Sequence, residues 1–240
     1  MTPDRPPSAT PTWFPDEQAH AGRENLDAAH VARYDAKMDA EAAREVALLR
    51  EHGLTERSLV VELGAGTGQF AVEVARACER VIAVDVSAPM LDRLRGKAVS
   101  RGLNNLTVAQ AGFLTYQHAE RPADFVYSRF ALHHLPDFWK AIALERIRGM
   151  VRPGAIVRLW DVVYHFPAAE AAERIEAWCA TGGDEVEGEW SRAELEEHVR
   201  DEHSTFSWIL EPMIERGGFD IVEAEHSEDG MSAQYLLRAM

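Results

Sequence analysis

A glycine-rich turn carries the strongest chemical signal in this sequence. Glu62 is followed at alternate positions by Gly64, Gly66 and Gly68, after an apolar run and before a helical pattern. Glycines at this spacing let the backbone turn sharply and let a ligand approach the main chain closely. A dinucleotide fingerprint needs its third glycine one position later, where Gln69 stands. A carboxylate beside the loop opposes a pyrophosphate, so the turn predicts a ligand with an ammonium or sulfonium group.

A second carboxylate lies where the sugar of a nucleoside would be bound. Asp85 ends the next predicted strand. A carboxylate at that place in a strand–helix–strand unit accepts hydrogen bonds from ribose hydroxyls. Each feature alone also fits a structural turn with a surface acid. Their combination in this context favours a nucleoside site.

The elements that must position these residues alternate between strands and helices. Apolar runs predict strands over 58–63, 80–85, 106–110, 124–128 and 155–162, the last entered through a turn at Pro153 and Gly154. Helical spacing predicts helices over 24–52, 68–78, 87–102, 137–150, 167–180 and 206–216, and another opened by the capping box Ser191 to Glu194. We expect Ser87 and Asp137 to cap their helices. The alternation favours a parallel sheet with helices on both faces.

The chain divides into five predicted segments. Residues 1–22 are rich in proline and predict a flexible N-terminal arm, and residues 23–53 predict cap helices. Residues 54–163 form the predicted ligand-binding core. Residues 164–217 predict a helical insertion on the substrate side. Residues 218–240 predict two strands joined by a short turn, which favours an antiparallel pair.

Composition disfavours several classes of function, although a local basic groove would still allow nucleic-acid binding. The formal net charge of −15 repels phosphate backbones, so we expect no nucleic-acid substrate. No apolar run is long enough to span a membrane. Cys78 and Cys179 are far apart and form no metal-binding pair, which favours a reducing, cytoplasmic setting. Glu194, His198 and Glu202 share one helix face, but polar helices often show this spacing, so no metal site is predicted.

From about Val60 to Val162 the sequence resembles class I methyltransferases dependent on S-adenosyl-L-methionine (SAM), in the small-molecule branch that includes ubiquinone-type enzymes. The family's first motif, acid-x-Gly-x-Gly-x-Gly, is matched by 62–68, and Asp85 matches its ribose-binding acid. Residues 130–137 resemble the motif after strand four, and 148–154 resemble the turn into strand five. The resemblance implies a Rossmann-like α/β fold, with a doubly wound, seven-stranded, mostly parallel sheet and the helical insertion before strand six.

The resemblance also implies the cofactor and its contacts. SAM would be the methyl donor and S-adenosyl-L-homocysteine (SAH) the product. Tyr34 resembles a residue of the family's lid helix, although an amphipathic helix in which it simply packs fits equally. The family often places an acid after strand three to bind the adenine amino group, and here Phe113 stands at that position. Either backbone groups and packing on Phe113 hold adenine, or the alignment with the family shifts locally. The predicted cofactor-binding residues are Tyr34, Glu62, Gly64, Ala65, Gly66, Gly68, Asp85, Val86, Met90, Gly112, Phe113 and Ser128.

Residues after strands four and five are candidates for a catalytic role, because ligands bind at the carboxyl ends of such strands. The candidate bases are His133, His134, Asp161, Tyr164 and His165. Histidine accepts a proton near neutral pH, and we predict catalytic or substrate roles for His134 and His165. The alternative for each is a histidine bonded to a nearby carbonyl group.

These features predict an enzyme that methylates an O, N or C atom of a small molecule by in-line displacement. Aromatic residues of the insertion, together with Arg192 and Arg200, would suit a planar or acidic acceptor, although Trp178 and Trp208 also fit a core role. Two alternatives stay open: a non-catalytic SAM-binding partner, and a nicotinamide-dependent oxidoreductase, which Glu62 and Gln69 disfavour. No pattern indicates an oligomeric state.

Overall fold

Apolar, β-branched runs form the strands of a computed structural model that describes residues 11–21, 41–183 and 190–240. The strands are β1 (Leu59–Leu63), β2 (Arg80–Asp85), β3 (Leu106–Gln110), β4 (Ala123–Arg129), β5 (Val151–Tyr164), β6 (Thr205–Phe206), β7 (Phe219–His226) and β8 (Ser232–Ala239). The α-helices are α1 (Ala42–Glu51), α2 (Gln69–Val74), α3 (Ala88–Ser100), α4 (Asp137–Met150), α5 (Ala171–Cys179), α6 (Arg192–Asp201) and α7 (Ser207–Arg216). Short 3₁₀ turns cover Leu132–His134 and Ala168–Glu170.

The strands form an open sheet in the order β3-β2-β1-β4-β5-β8-β7. Strands β1 to β5 are parallel to one another, and β8 is antiparallel to both of its neighbours. The predicted doubly wound, mostly parallel α/β sheet is confirmed, including the antiparallel pair at the end of the chain. The strand order reverses between β1 and β4, and ligands bind in such sheets outside the carboxyl ends of the strands at this point.

Alternate residues of the strands face two separate apolar layers. In β1, Leu59, Val61 and Leu63 face one layer and Val60 faces the other. All five residues of β1 are buried. A parallel strand covered by helices on both faces reads as such a continuous apolar run. The one charged residue of β1, Glu62, is therefore inside the protein rather than on its surface.

One predicted helix cap and one predicted strand boundary are wrong for identifiable reasons, although the helix over 137–150 has its predicted bounds. Pro136, not Asp137, caps α4. The carboxylate of Asp137 instead accepts hydrogen bonds from Lys140 of the same helix and from Thr205, and the bond from Thr205 links α4 to the insertion. Strand β5 already begins at Val151, so Pro153 and Gly154 lie inside this strand rather than in a turn before it. The pairing register of β5 is irregular opposite the start of β4.

Other sequence predictions are confirmed. Strands β2 and β3 have the predicted bounds. Ser87 caps α3 by accepting a hydrogen bond from the Met90 amide, and the capping box of Ser191 and Glu194 opens α6. The unpredicted strand β6 is only two residues long and pairs with the end of β5. Of the predicted helix over 24–52, residues 24–40 lie outside the described ranges.

A buried ion pair joins α1 to the sheet. Arg158 of β5 donates hydrogen bonds to both carboxylate oxygens of Glu45, from Nε at 2.8 Å and from Nη2 at 3.0 Å. The same guanidinium group donates to Gln234 of β8. Both charged residues are at most 5 % exposed, so water does not screen the pair.

Among the described residues, no helix combines the length and apolar composition needed to cross a bilayer.

Candidate functional site

The glycine loop leaves β1 in a conformation that only glycine adopts readily. Gly64, Gly66 and Gly68 all have positive φ angles. A Cβ atom on Gly64 would lie 2.2 Å from the Cβ of Ala131, so glycine lets this loop pack against the segment after β4. A Cβ on Gly68 would lie 2.4 Å from Cγ of Leu94. The absence of a side chain at Gly68 therefore allows the start of α2 to pack closely against α3.

Asp85 holds the glycine loop through its carboxylate. One oxygen accepts a hydrogen bond from the Gly66 amide at 2.7 Å, and the other accepts from the Ser87 amide at 2.8 Å. Burial raises the pKa of Asp85 above its ordinary value, although these backbone hydrogen bonds oppose the shift. The carboxylate is at the predicted place, at the end of β2 beside the loop.

Glu62 is a buried carboxylate that lacks a hydrogen-bond partner on one oxygen. It is 4 % exposed, and no described residue bonds to its Oε2. Burial raises its pKa well above the ordinary 4.5, the negative charge of Asp85 adds to the rise, and a backbone hydrogen bond from Ala71 opposes it. Such a group needs a cation to stay ionised in an apolar setting.

Two clefts flank the glycine loop and share Gly64 and Gly66 as lining residues. The volume of the Asp85 cleft is about 590 Å³ and that of the Glu62 cleft about 440 Å³, both including the solvent-filled space at the opening. Of the predicted cofactor residues, the Asp85 cleft is lined by Asp85, Val86, Met90, Gly112 and Phe113, and the Glu62 cleft by Glu62 and Ala65. Neither lining includes Gly68 or Ser128.

An acidic residue that the sequence analysis missed reaches the far end of the Asp85 cleft. Glu17, from the N-terminal arm, is 8 % exposed and lines the cleft beside Gly112 and Phe113. Its carboxylate accepts hydrogen bonds from the Leu114 amide at 3.0 Å and from Thr115 Oγ1 at 2.8 Å. A carboxylate is thus present near the position where the family often has an acid, but it comes from a distant part of the chain.

The segment after β4 forms the other wall of the Asp85 cleft. Phe130 has a φ of 49°, which is strained for a bulky side chain and places its ring against Trp160. His134 lines the cleft with its ring 15 % exposed, and its Nδ1 has no hydrogen-bond partner among the described residues. Burial, followed by the charge of His133, lowers the pKa of His134 to about 3, so this ring is neutral at pH 7.

His133 lies deeper, inside a chain of polar groups. Its Nδ1 bonds to Asp161 of β5, and its Nε2 is 3.0 Å from Glu202 Oε2. The same carboxylate of Glu202 contacts Nδ1 of His198. Burial opposes the charged ring, but Asp161 and Glu202 outweigh it and raise the pKa of His133 to about 10. Contact with His133 lowers the pKa values of Asp161 and Glu202, against the effect of burial.

Two other predicted residues do not line either cleft, and a third is not among the described residues. His165 bonds to Ser207 Oγ at 2.9 Å and stacks on His226, and it does not line either cleft. Tyr34 lies outside the described residues. Ser128, at the end of β4, is buried, and its hydroxyl has no hydrogen-bond partner in the described part of the chain.

In the described part of the insertion, aromatic and guanidinium side chains make contacts within the protein. Trp178 and Phe206 pack around a small apolar cluster, in agreement with a core role for Trp178. Arg192 pairs with Glu176 and Glu196, and Arg200 pairs with Asp201, all in exposed positions. Both guanidinium groups thus have acidic partners on the protein, and their contact with an acceptor stays a prediction.

The comparisons with known sequences point to one family. A family model described as a methyltransferase domain matches residues 60–154. An uncharacterized methyltransferase of Mycobacterium tuberculosis is 30% identical over 155 residues, which cover 59% of this chain and 75% of the relative. An uncharacterized methyltransferase of Anoxybacillus flavithermus is 27% identical over 164 residues, covering 68% and 70%.

Solved structures share the fold at low sequence identity. Magnesium protoporphyrin IX methyltransferase from Synechocystis with bound SAM superimposes with a TM-score of 0.65 at 14% identity, covering 96% of this chain and 100% of the other. The CcbJ methyltransferase from Streptomyces caelestis gives a TM-score of 0.64 at 20% identity, covering 86% and 98%. The fold expected from the resemblance is confirmed.

Proposed function

The chain belongs to the class I SAM-dependent methyltransferases, and we propose that it transfers a methyl group from SAM to an O, N or C atom of a small-molecule acceptor. The pairing of the two clefts around the glycine loop carries the proposal. One cleft offers a buried carboxylate for a cation, and the other offers a carboxylate at the end of β2 for a ribose.

The Glu62 cleft fits the methionine end of SAM. The unsatisfied oxygen of Glu62 suits the ammonium group. Arg129 lines the same cleft, with its guanidinium group 3.9 Å from the centre of the Trp160 ring, and suits the carboxylate. One anionic and one cationic side chain match the two charges of an amino acid. The positive φ of Gly64 and Gly66 leaves the backbone between the clefts open to close approach.

The affinity for SAM is expected to depend on pH through Glu62. Because burial raises the pKa of this carboxyl, it is protonated at a pH where an exposed glutamate is ionised. A neutral carboxyl attracts an ammonium group only weakly, so a cationic ligand must displace the proton. Affinity should therefore fall by up to about tenfold per pH unit below the raised pKa and level off above it. Calorimetric titrations across pH measure this profile.

Glu62→Gln is the matched variant for this profile. Its affinity should be about tenfold or more below that of the unmodified protein at neutral pH, because a charge-assisted hydrogen bond is lost. Asp85 faces Glu62 and also has a raised pKa, so any pH dependence left in the variant is assigned to Asp85. Equal slopes for both proteins would show that Glu62 does not bind the ammonium group.

The Asp85 cleft fits the adenosine part of SAM. We assign the ribose hydroxyls to Asp85 and the adenine ring to the apolar surfaces of Met90 and Phe113. Arg146 holds the adenine wall by donating hydrogen bonds to the carbonyl oxygens of Phe113 and Tyr116. Glu17 is then the carboxylate nearest to this wall, and we assign the adenine amino group to it.

Glu17→Ala tests the adenine assignment. The variant should bind SAH about tenfold more weakly, through loss of one hydrogen bond to a charged acceptor. S-inosylhomocysteine carries a carbonyl in place of the amino group, so the unmodified protein should reject it and the variant should discriminate less. Gln18→Ala, exposed on the same arm, is the control. Undiminished discrimination by Glu17→Ala would remove Glu17 from the adenine site.

We assign the methyl acceptor to the side of the Asp85 cleft that is lined by His134. Phe130, Ala131 and Leu135 give this wall an apolar surface that suits a planar acceptor. The neutral ring of His134, which lines this wall, is the candidate group to accept a hydrogen bond from the hydroxyl or amino group that is to be methylated. SAM supplies an electrophilic methyl group when bound. The protein aligns the two molecules, since in-line displacement depends mainly on orientation.

A methyl-labelling experiment tests the proposed acceptor class. The protein is incubated with SAM carrying a radiolabelled methyl group and, separately, with ultrafiltered metabolites, proteins and nucleic acids of one cell extract. Label should enter the metabolite fraction, and His134→Ala should lose this transfer while retaining its affinity for SAH. Label in a macromolecular fraction would contradict the small-molecule proposal. Binding of SAM without transfer to any fraction would favour the non-catalytic alternative.

A further inference from the structure

A cluster of two imidazoles and one carboxylate lies beside the Asp85 cleft, apart from the residues assigned to the cofactor. We propose that His133 Nε2, His198 Nδ1 and a carboxylate oxygen of Glu202 bind a divalent transition-metal ion. The three ligand atoms lie within 4.8 Å of one another. This site does not depend on the identity of the methyl acceptor.

The distances are close to those of a metal site. Ligand atoms about 2.1 Å from a zinc ion are roughly 3.4 Å apart at the corners of a tetrahedron. His133 Nε2 is 3.0 Å from Glu202 Oε2, and His198 Nδ1 contacts the same oxygen. The ring centres of the two histidines are 5.0 Å apart, with their planes tilted by 58°. The two near nitrogens thus converge on one carboxylate.

In both imidazoles the ring nitrogen that faces away from the proposed ion has a hydrogen-bond partner, as is usual for metal-binding histidines. Nδ1 of His133 bonds to Asp161, which leaves Nε2 to face Glu202. Asp161 is fixed in turn by the amides of His133 at 3.0 Å and Val162 at 2.8 Å. Nε2 of His198 lies 2.8 Å from Ser204 Oγ, which leaves Nδ1 for the ion. Outer partners of this kind fix both the tautomer and the direction of each ring.

The charges and surroundings also suit a divalent cation. The carboxylates of Asp161 and Glu202 together balance a charge of two. Glu202 contacts three imidazoles, those of His133, His134 and His198. Trp178 packs edge-on against His198 at 5.5 Å, which adds an apolar wall. Side-chain exposures of 6 % for His133 and 14 % for His198 and Glu202 shield the site from bulk water.

The ligands come from parts of the chain that only the fold brings together. From the sequence, helix spacing groups Glu194, His198 and Glu202. Because polar helices often show this spacing, the sequence analysis did not predict a metal site from these three residues. In the structure the carboxylate of Glu194 caps α6 by accepting from Ser191, and His133 from the turn after β4 takes its place. A bound ion would tie the end of α6 to the turn after β4, next to His134, whose ring centre is 4.3 Å from that of His133.

Zinc titration of the full chain tests this proposal. The protein, freed of any histidine tag and treated with a chelator, is titrated calorimetrically with zinc chloride. One zinc ion per chain with a micromolar or lower Kd is expected. Magnesium should not compete, because it prefers oxygen ligands. Zinc should also raise the thermal midpoint, as any ligand bound only by the folded state does.

Two ligand variants and a matched control assign the site. His198→Ala and Glu202→Gln should each weaken zinc binding at least tenfold. Glu196→Gln makes the same change of charge at an exposed position of α6 and should bind zinc like the unmodified protein. Titration with SAH and circular dichroism of each variant establish that it is folded. These readouts need no methyl acceptor, so they are independent of the labelling experiment.

A measurement on the unmodified chain covers the case in which a variant fails to fold. In a spectrum of ¹⁵N-labelled histidines, zinc should shift Nε2 of one ring and Nδ1 of another. No stoichiometric zinc binding, unchanged binding by both ligand variants, or zinc shifts confined to other histidines would each overturn the proposal. In those cases the cluster is a buried hydrogen-bond network only.

Discussion

Arg158→Met is expected to lower the free energy of unfolding by about 3–5 kcal/mol, the usual cost of leaving one charge of a buried pair without its partner. The substitution keeps an aliphatic side chain in place but leaves Glu45 buried with neither of its hydrogen bonds from Arg158, and it also removes the bond to Gln234. Since both charged residues are at most 5 % exposed, water cannot replace these partners. Urea unfolding followed by circular dichroism measures the change.

Two controls separate the buried pair from general effects of charge. The double variant Glu45→Leu with Arg158→Met removes both charges, so it should be more stable than Arg158→Met alone. Arg174→Ala breaks a pair with Glu170 in which both side chains are more than 40 % exposed, and should cost less than about 1 kcal/mol. A loss below about 1 kcal/mol for Arg158→Met would contradict the structural role of this pair.

Asp85→Ala is expected to weaken binding of SAM and SAH about 100-fold. Its carboxylate is assigned to the ribose hydroxyls, and each hydrogen bond to a charged group contributes about 1.5–3 kcal/mol. The same oxygens hold the amides of Gly66 and Ser87, so their loss also loosens the loop between the clefts. Calorimetric titration with SAH measures the effect without a methyl acceptor.

The control for this variant lies on the next helix. Asp92 has a side chain 75% exposed and pairs with Arg95, so Asp92→Ala should bind SAH normally. Thermal unfolding of Asp85→Ala shows whether the protein stays folded, which an affinity measurement alone does not. An affinity within threefold of the unmodified protein would remove Asp85 from the ribose site.

Local sequence patterns predicted the central part of the fold well. Strands β2 and β3 match their predicted bounds because their interior residues are apolar or β-branched and the strands are followed by helix-capping or turn residues. The glycine loop and Asp85 are also close together as expected, because the carboxyl ends of neighbouring parallel strands share one edge of the sheet. These features depend on residues near one another in the chain.

Features that depend on distant residues could not be predicted in this way. Glu17 reaches Leu114 across 97 positions, and nothing in the proline-rich arm indicates that partner. His133 meets His198 and Glu202 only after the insertion folds back over the sheet. Nearby acids pair with Arg192 and Arg200, which a count of guanidinium groups does not reveal. The caps at Ser87 and Ser191, the loop glycines and the ends of β2 and β3 could thus be predicted, whereas tertiary partners could not.

Calorimetric titration of the unmodified chain with SAM, SAH and NAD is the most direct test of the proposed cofactor site. The two clefts predict binding of SAM and SAH with one ligand per chain, and no binding of NAD, because the carboxylate of Glu62 opposes a pyrophosphate at the glycine loop. Binding of NAD in preference to SAM, or no binding of either sulfur nucleoside, would contradict the assignment of these clefts.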